Sequence, residues 1–245
     1  MPGMICLPLE IAETKKDALF ELKLDGTRIT YRKGKMTSDR MVNRNARFPH
    51  ILNELKKLNW HVRGEVALPG GNILKLSKRE NWHKARFYVF DLFAIDGKST
   101  EKVSVQKRRK MLETLVARAN FKHIEVPLKF DTFKKGWKYV NENEAEGIVI
   151  KEEDAIWKVK LLKELKVPII RHIEGKSKGA FLINCNGNIS KVSGTSDAFV
   201  DYFYALSKKG KKVLAEIEFP FLTDDGAPFQ PRLRRVGTKE ELKYT

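Results

Sequence analysis

The chain has 245 residues, 42% of them apolar, and carries 48 Lys plus Arg against 31 Asp plus Glu, a net charge of +17. Such a length builds one large domain, or one medium and one small domain; no stretch approaches the roughly 18 apolar residues that span a bilayer, and the first residues lack the basic flank and apolar run of a signal peptide. Two distant cysteines, Cys6 and Cys185, supply neither a disulfide framework nor a zinc cluster, while the positive field attracts polyanions, nucleic acid foremost.

Residues 1–17, with Pro2 and Pro8 and then mixed charges, read as an irregular lead-in. Residues 18–24 carry a strand pattern, which residues 28–31 resume after a turn at Gly26. Lys23 thus ends a strand, beside Asp25, Gly26 and Arg28. An amine attacks phosphorus only as the neutral base, a form that burial or neighbouring cations favour, and Arg28 is one such cation. Taken alone, the same stretch is equally a strand with a surface lysine and a tight turn. Lys33-Gly34-Lys35 reads as a hairpin tip. Residues 38–47 form a polar loop carrying Arg40, Arg44 and Arg47. Guanidinium forks suit phosphate oxygens; a solvated loop is the alternative.

Residues 49–58 place Ile51, Leu52, Leu55 and Leu58 at helical spacing behind Pro49. A strand over 62–68 ends at the 69–72 turn and contains Glu65, a charge that calls for a partner: a ribose hydroxyl, a metal ion or a simple salt bridge. Residues 87–93 form an aromatic strand broken by Asp91, in which Phe90 offers a face for a base. The pattern over 103–119, with Lys107, Arg108, Arg109 and Lys110 at its centre, predicts a surface helix, and 131–143 predicts another. Residues 146–151 are a buried strand with a charge at each end, forming a tight hairpin with 155–160. Period two puts Lys158 and Lys160 on one face, which implies an anion between them.

Residues 161–167 read as a hinge of mixed charge, and Pro168 restarts the strand pattern. Strands follow at 169–174, 180–184 and 189–192, then a helix capped by Ser196, then strands at 212–219 and 229–236. Five short strands with one helix fit a small Greek-key barrel of the oligonucleotide-binding (OB) type.

In this order the segments resemble the covalent nucleotidyltransferases, most closely the ATP-dependent DNA ligases of compact viral and bacterial type. The resemblance runs from about residue 18 to 236. Lys23-Leu24-Asp25-Gly26-Thr27-Arg28 is similar to the motif whose lysine takes AMP from ATP, and Glu21 matches the position that contacts the adenine amino group. Gly64-Glu65-Val66 resembles the strand whose carboxylate holds the ribose, and Phe90-Asp91 the motif that stacks on adenine. Glu146-Gly147-Ile148-Val149-Ile150-Lys151 resembles the metal-binding motif, and Trp157-Lys158-Val159-Lys160 the motif that grips the α-phosphate.

The resemblance implies an α+β fold: an ATP-grasp-like nucleotidyltransferase domain of antiparallel sheets with flanking helices over residues 1–163, then an OB-fold barrel over 167–245. It implies Lys23 as the catalytic nucleophile. Glu21, Arg28, Arg40, Glu65, Phe90, Lys158 and Lys160 would bind ATP, and Glu146 with Glu65 would hold Mg²⁺. Arg40, Arg44 and Arg47, with Lys208, Lys209, Lys211 and Lys212, would grip nicked duplex DNA, and Arg232 and Arg235 would orient the pyrophosphate. The expected protein is a monomer without membrane attachment, in the cytoplasm of a bacterium or a virus-infected cell, or in a nucleus.

Three features depart from the family pattern. The loop after the nucleophile reads Ser38-Asp39-Arg40 instead of Ser-Arg, the final motif around Arg232, Arg234 and Arg235 lacks its Asp, and the loop between Lys151 and Trp157 is short. An RNA ligase or a capping nucleotidyltransferase, and a non-catalytic nucleic-acid-binding module, are the rival readings.

Overall fold

The computed structural model describes residues 4–175 and 179–243, and the chain divides into two compact units, Met1–Lys160 and Leu161–Thr245. No helix among the described residues is long and apolar enough to cross a membrane. The first unit runs β1 (Ile5–Cys6), α1 (Leu9–Glu13), β2 (Leu19–Lys23), β3 (Gly26–Arg32), β4 (Lys35–Ser38), α2 (Pro49–Leu55), β5 (Trp60–Ala67) and α3 (Ile73–Ser77). It continues through β6 (Arg86–Ile95), β7 (Lys98–Ser99), α4 (Val105–Ala119), β8 (Ile124–Glu125), β9 (Lys129–Phe130), α5 (Phe133–Glu142), β10 (Gly147–Lys151) and β11 (Ile156–Lys160).

These strands make two sheets, ordered β1-β11-β10-β2-β9 (sheet I) and β4-β3-β5-β6-β7 (sheet II), with β8 beside β6. Pairing is antiparallel except for β1 with β11 and β6 with β8. The unit is a mixed α+β fold built on antiparallel sheets. In sheet II the alternation of the sequence decides the faces. Ile29, Tyr31, Val62, Val66, Phe87 and Val89 pack with Phe48, Ile51 and Leu55 of the α2 region and with Leu112 of α4. Burying each such side chain contributes about 1.5–3 kcal/mol. Residues at the alternate positions, Arg28 opposite Glu65 and Thr30 opposite Arg63, are left on the other face.

Serine or threonine starts the longer helices: Ser104, Thr132 and Ser196 each accept from a backbone N–H in the first turn, which satisfies a donor that the helix cannot. Helix α4 lies on the surface as its pattern predicts, with Lys107 and Lys110 exposed, but one member of its basic centre turns inward. Arg109 is buried with Val105 and Leu112, because it falls on the apolar stripe, four residues after one and three before the other.

The second unit holds β12 (Lys163–Ile173), β13 (Ala180–Cys185), β14 (Asn188–Val192), α6 (Asp197–Lys208), β15 (Leu214–Phe219) and β16 (Arg232–Gly237). Their order, β14-β13-β12-β15-β16, is that of an open five-stranded sheet; its edge strands approach at an isolated Ser193–Arg232 bridge. Phe181, Ile183, Val192, Ile217 and Phe219 meet Phe203 and Leu206 of α6 in its core. Residues 163–167, read from the sequence as part of a hinge, are strand instead. Leu165 and Val167 pack on or in the core while Glu164 and Lys166 alternate with them, a period of two that the density of charge obscures. Pro168 lies inside β12, where the strand changes partners: residues 163–168 pair with β15 and the ladder to β13 starts at Ile169. A residue without an N–H is tolerated at such a break.

Candidate active site

The register of sheet I assembles the reactive groups. Gly147 at the start of β10 lies opposite Lys23 on β2 and opposite Lys160 on β11. Glu146, one residue earlier, therefore meets both amines. Its Oε2 accepts from Lys23 Nζ at 2.6 Å, and its Oε1 pairs with Lys160 Nζ at 2.8 Å. Burial alone would raise the Glu146 carboxyl, but Lys23 and Lys160 together hold it below the usual range. Gly147 is required here twice over: its φ of +149° is one that side chains rarely adopt, and a Cβ would lie 1.9 Å from the Val159 carbonyl oxygen. Lys158 sits half-buried two residues further along, opposite Val149, and its ammonium is pushed down by burial, then by Lys160 and Lys23.

Sheet II supplies the complementary groups. Glu65 on β5 faces Arg28 on β3 and Tyr88 on β6. Burial pushes its carboxyl up to about 8, against the pull of Lys23 and Arg28. Gly64 lets the strand lie close, since a Cβ there would sit 2.5 Å from the Tyr88 carbonyl oxygen. Arg28 contacts Asp39 at 3.4 Å, and its buried Nε has no hydrogen-bond partner, a donor suited to an incoming anion. Asp25 accepts from the Ile73 N–H at 3.0 Å, which ties the turn after Lys23 to α3, and burial raises its carboxyl.

An amine, a carboxylate bridging two ammonium groups and a donor-rich sheet face form an arrangement suited to a nucleotide phosphate. The model of the ATP dependent DNA ligase domain matches residues 7–166. This chain belongs to the ATP-dependent DNA ligase family. Solved structures agree on the fold. A Lig E DNA ligase, from work on DNA binding with a minimal scaffold, is 18% identical with a TM-score of 0.68, over 97% of this chain and 100% of that one. Pmar-Lig_Pre is 20% identical with a TM-score of 0.71, over 97% of this chain and 67% of its own. The ligase domain of M. tuberculosis LigD is 18% identical with a TM-score of 0.58, over 97% and 93%. No curated protein matches the sequence.

In this ligase Glu21 is deeply buried. One carboxylate oxygen pairs with Arg109 of α4, and the other with Lys151 at 2.5 Å. Lys151 also donates to the Phe90 carbonyl at 2.8 Å and lies 4.7 Å from the centre of the Phe90 ring. Arg109 goes on to Glu113 at 2.9 Å and to the Pro127 carbonyl at 2.7 Å. The sequence reading missed Arg109, whose spacing from Val105 and Leu112 is the signal that marks it. Asp91, next to the stacking candidate, pairs with Arg108 at 3.0 Å.

Arg40 is exposed and Arg44 half-buried, whereas Arg47 donates to the Leu76 carbonyl at 2.7 Å and lies over the Trp82 ring. In the second unit Lys208, Lys209, Lys211, Lys212 and Arg232 are exposed, and Arg235 pairs with Glu216 at 3.2 Å.

Proposed function

We propose that this ligase seals nicks in duplex DNA through a lysyl-AMP formed on Lys23. The observation that carries the reading is the pair of bonds from Glu146 to Lys23 and Lys160, which fixes the amine at the end of β2 within the electrostatic reach of Glu65 on sheet II. Lys23, as the neutral amine, attacks the α-phosphorus of ATP: the P–N bond forms, the P–O bond to the β-phosphate breaks with its electron pair leaving on pyrophosphate, and the amine gives up a proton to solvent. AMP then passes to the 5′-phosphate at the nick, and the 3′-hydroxyl displaces it as the phosphodiester forms. Such transfers depend on alignment and charge neutralisation more than on acid–base work. In this reading Lys158, Lys160 and Arg28 would take up phosphate charge, Glu65 would hold the ribose and Phe90 the base face, and Arg232 and Arg235 would take the departing pyrophosphate.

The described residues contain no group of three or more His, Cys, Asp or Glu suited to a metal ion. A pair of carboxylates completed by phosphate and water oxygens nevertheless fits Mg²⁺, and Glu146 with Glu65 would hold it. Bound there, Mg²⁺ would neutralise phosphate charge. We read the second unit, with its five antiparallel strands and one helix, as an OB-type fold, and the protein as a cytoplasmic monomer. Incubation with labelled ATP followed by denaturing electrophoresis should give a labelled protein band that chases into a sealed strand when nicked duplex is added. No band, or a band that never chases, would refute the reading.

Affinity for the nick should rest on phosphate contacts from the loop carrying Arg40 and Arg44 and from Lys208, Lys209, Lys211 and Lys212. Each neutralised phosphate releases counterions, so the logarithm of affinity falls by roughly 0.9 per contact against the logarithm of salt. Changing the four lysines to Ala should flatten that slope by up to about 3.6 while adenylation persists. A salt titration of nick binding beside an adenylation assay checks this; an unchanged slope would make these lysines merely solvating.

A further inference from the structure

The buried charges behind the site serve a purpose that stability does not explain. Glu21, Arg109 and Lys151 have side chains only 2%, 5% and 7% exposed. Taking three charges out of water costs free energy that their attraction barely repays, and apolar side chains of the same volume would hold a core as well. What the cluster does hold is geometry. Glu21 is on β2, two residues before the nucleophile, and Lys151 ends β10, the strand that also positions Glu146: both belong to sheet I. Phe90 is on β6 of sheet II, and Arg109 is on α4, which packs its Leu112 into the core under that sheet. Each bond from Glu21 to Arg109, and from Lys151 to the Phe90 carbonyl, therefore crosses from one half of the site to the other.

Building on the ligase reading above, we propose that Lys151 is a positioning residue for the nucleotide base: by holding the Glu21 carboxylate, the Phe90 carbonyl and the Phe90 ring at once, it fixes the stacking face relative to the strand that carries Lys23. Its three ammonium protons suit three such partners. The Glu21 carboxylate, engaged on both oxygens, is the anchor of this device. The ring's distance from the ammonium is that of a cation–π contact, so the plane of the ring and not only its backbone is held.

The test is adenylation kinetics of Lys151→Met, which keeps length and loses charge, beside Phe90→Ala, the double variant and Lys151→Arg. Lys151→Met should raise KM for ATP about tenfold while kcat for adduct formation changes less than about threefold. In the Phe90→Ala background the same change should add less than about twofold, because both act through one ring. Lys151→Arg, which keeps charge and donors, should return KM to within about threefold of the parent. An unchanged KM in Lys151→Met, or effects that multiply in the double variant, overturns the proposal. So does a loss confined to kcat. If Lys151→Met does not fold, Lys151→Gln takes its place, and failure of both to fold makes the residue structural and overturns the proposal too. A parent protein that forms no adduct would instead refute the ligase reading itself.

Discussion

Incubated with ATP and Mg²⁺, Lys23→Ala and Lys23→Arg should form no covalent AMP adduct, a loss of at least about 10⁴-fold, or roughly 5.5 kcal/mol of transition-state stabilisation. Alanine removes the nucleophile. Arginine keeps the charge beside Glu146 but stays protonated and offers no free electron pair. The pair matters because the two substitutions differ in what they leave behind. With Ala, Glu146 retains Lys160 at 2.8 Å; with Arg, both of its oxygens keep cationic partners. A shared loss of adduct with little change in melting temperature therefore points to chemistry. Undiminished labelling in either variant would sink the assignment of Lys23.

The second large effect is expected at Glu146. Glu146→Gln preserves shape but leaves Lys23 and Lys160 facing one another without the carboxylate that separates them. Adenylation and sealing of a pre-adenylylated nick should both fall by about 100-fold or more, equivalent to roughly 2.7 kcal/mol. Both steps should suffer because, in the proposed mechanism, AMP stays beside Glu146 through both of them. Raising Mg²⁺ should recover part of the loss if the carboxylate also holds the ion. Sealing at the parental rate across a Mg²⁺ titration would reduce Glu146 to a structural role.

The sequence makes the strand carrying Lys23, the Gly64-Glu65 strand and the hairpin of Lys158 and Lys160 legible, because each is a short apolar run interrupted by a charge that needs a reason. It does not show register. That Glu146 lies at a strand edge can be read; that it bridges two amines follows only from Gly147 facing both Lys23 and Lys160. Arg109 was hidden for a different reason. It is one of four consecutive basic residues, and a charge run suggests solvent until its spacing along the helix is counted against Val105 and Leu112. In β12 charge again masked pattern: the alternation of Leu165 and Val167 with Glu164 and Lys166 is that of a strand, and Pro168 marks a change of partner, not a boundary.

Sheet II is stitched from strands close together in the chain, whereas Lys23 and its partner Glu146 are 123 positions apart, and β1 waits for β11, the last strand of its unit. Closing so long a loop is slow compared with forming hairpins. During synthesis, then, the region of sheet II can fold while β2 still lacks β10, and the reactive amine spends most of that interval without its counter-charge. A slip of a single residue when β10 joins β2 would turn the side chains of β10 to the opposite face and separate Glu146 from Lys23.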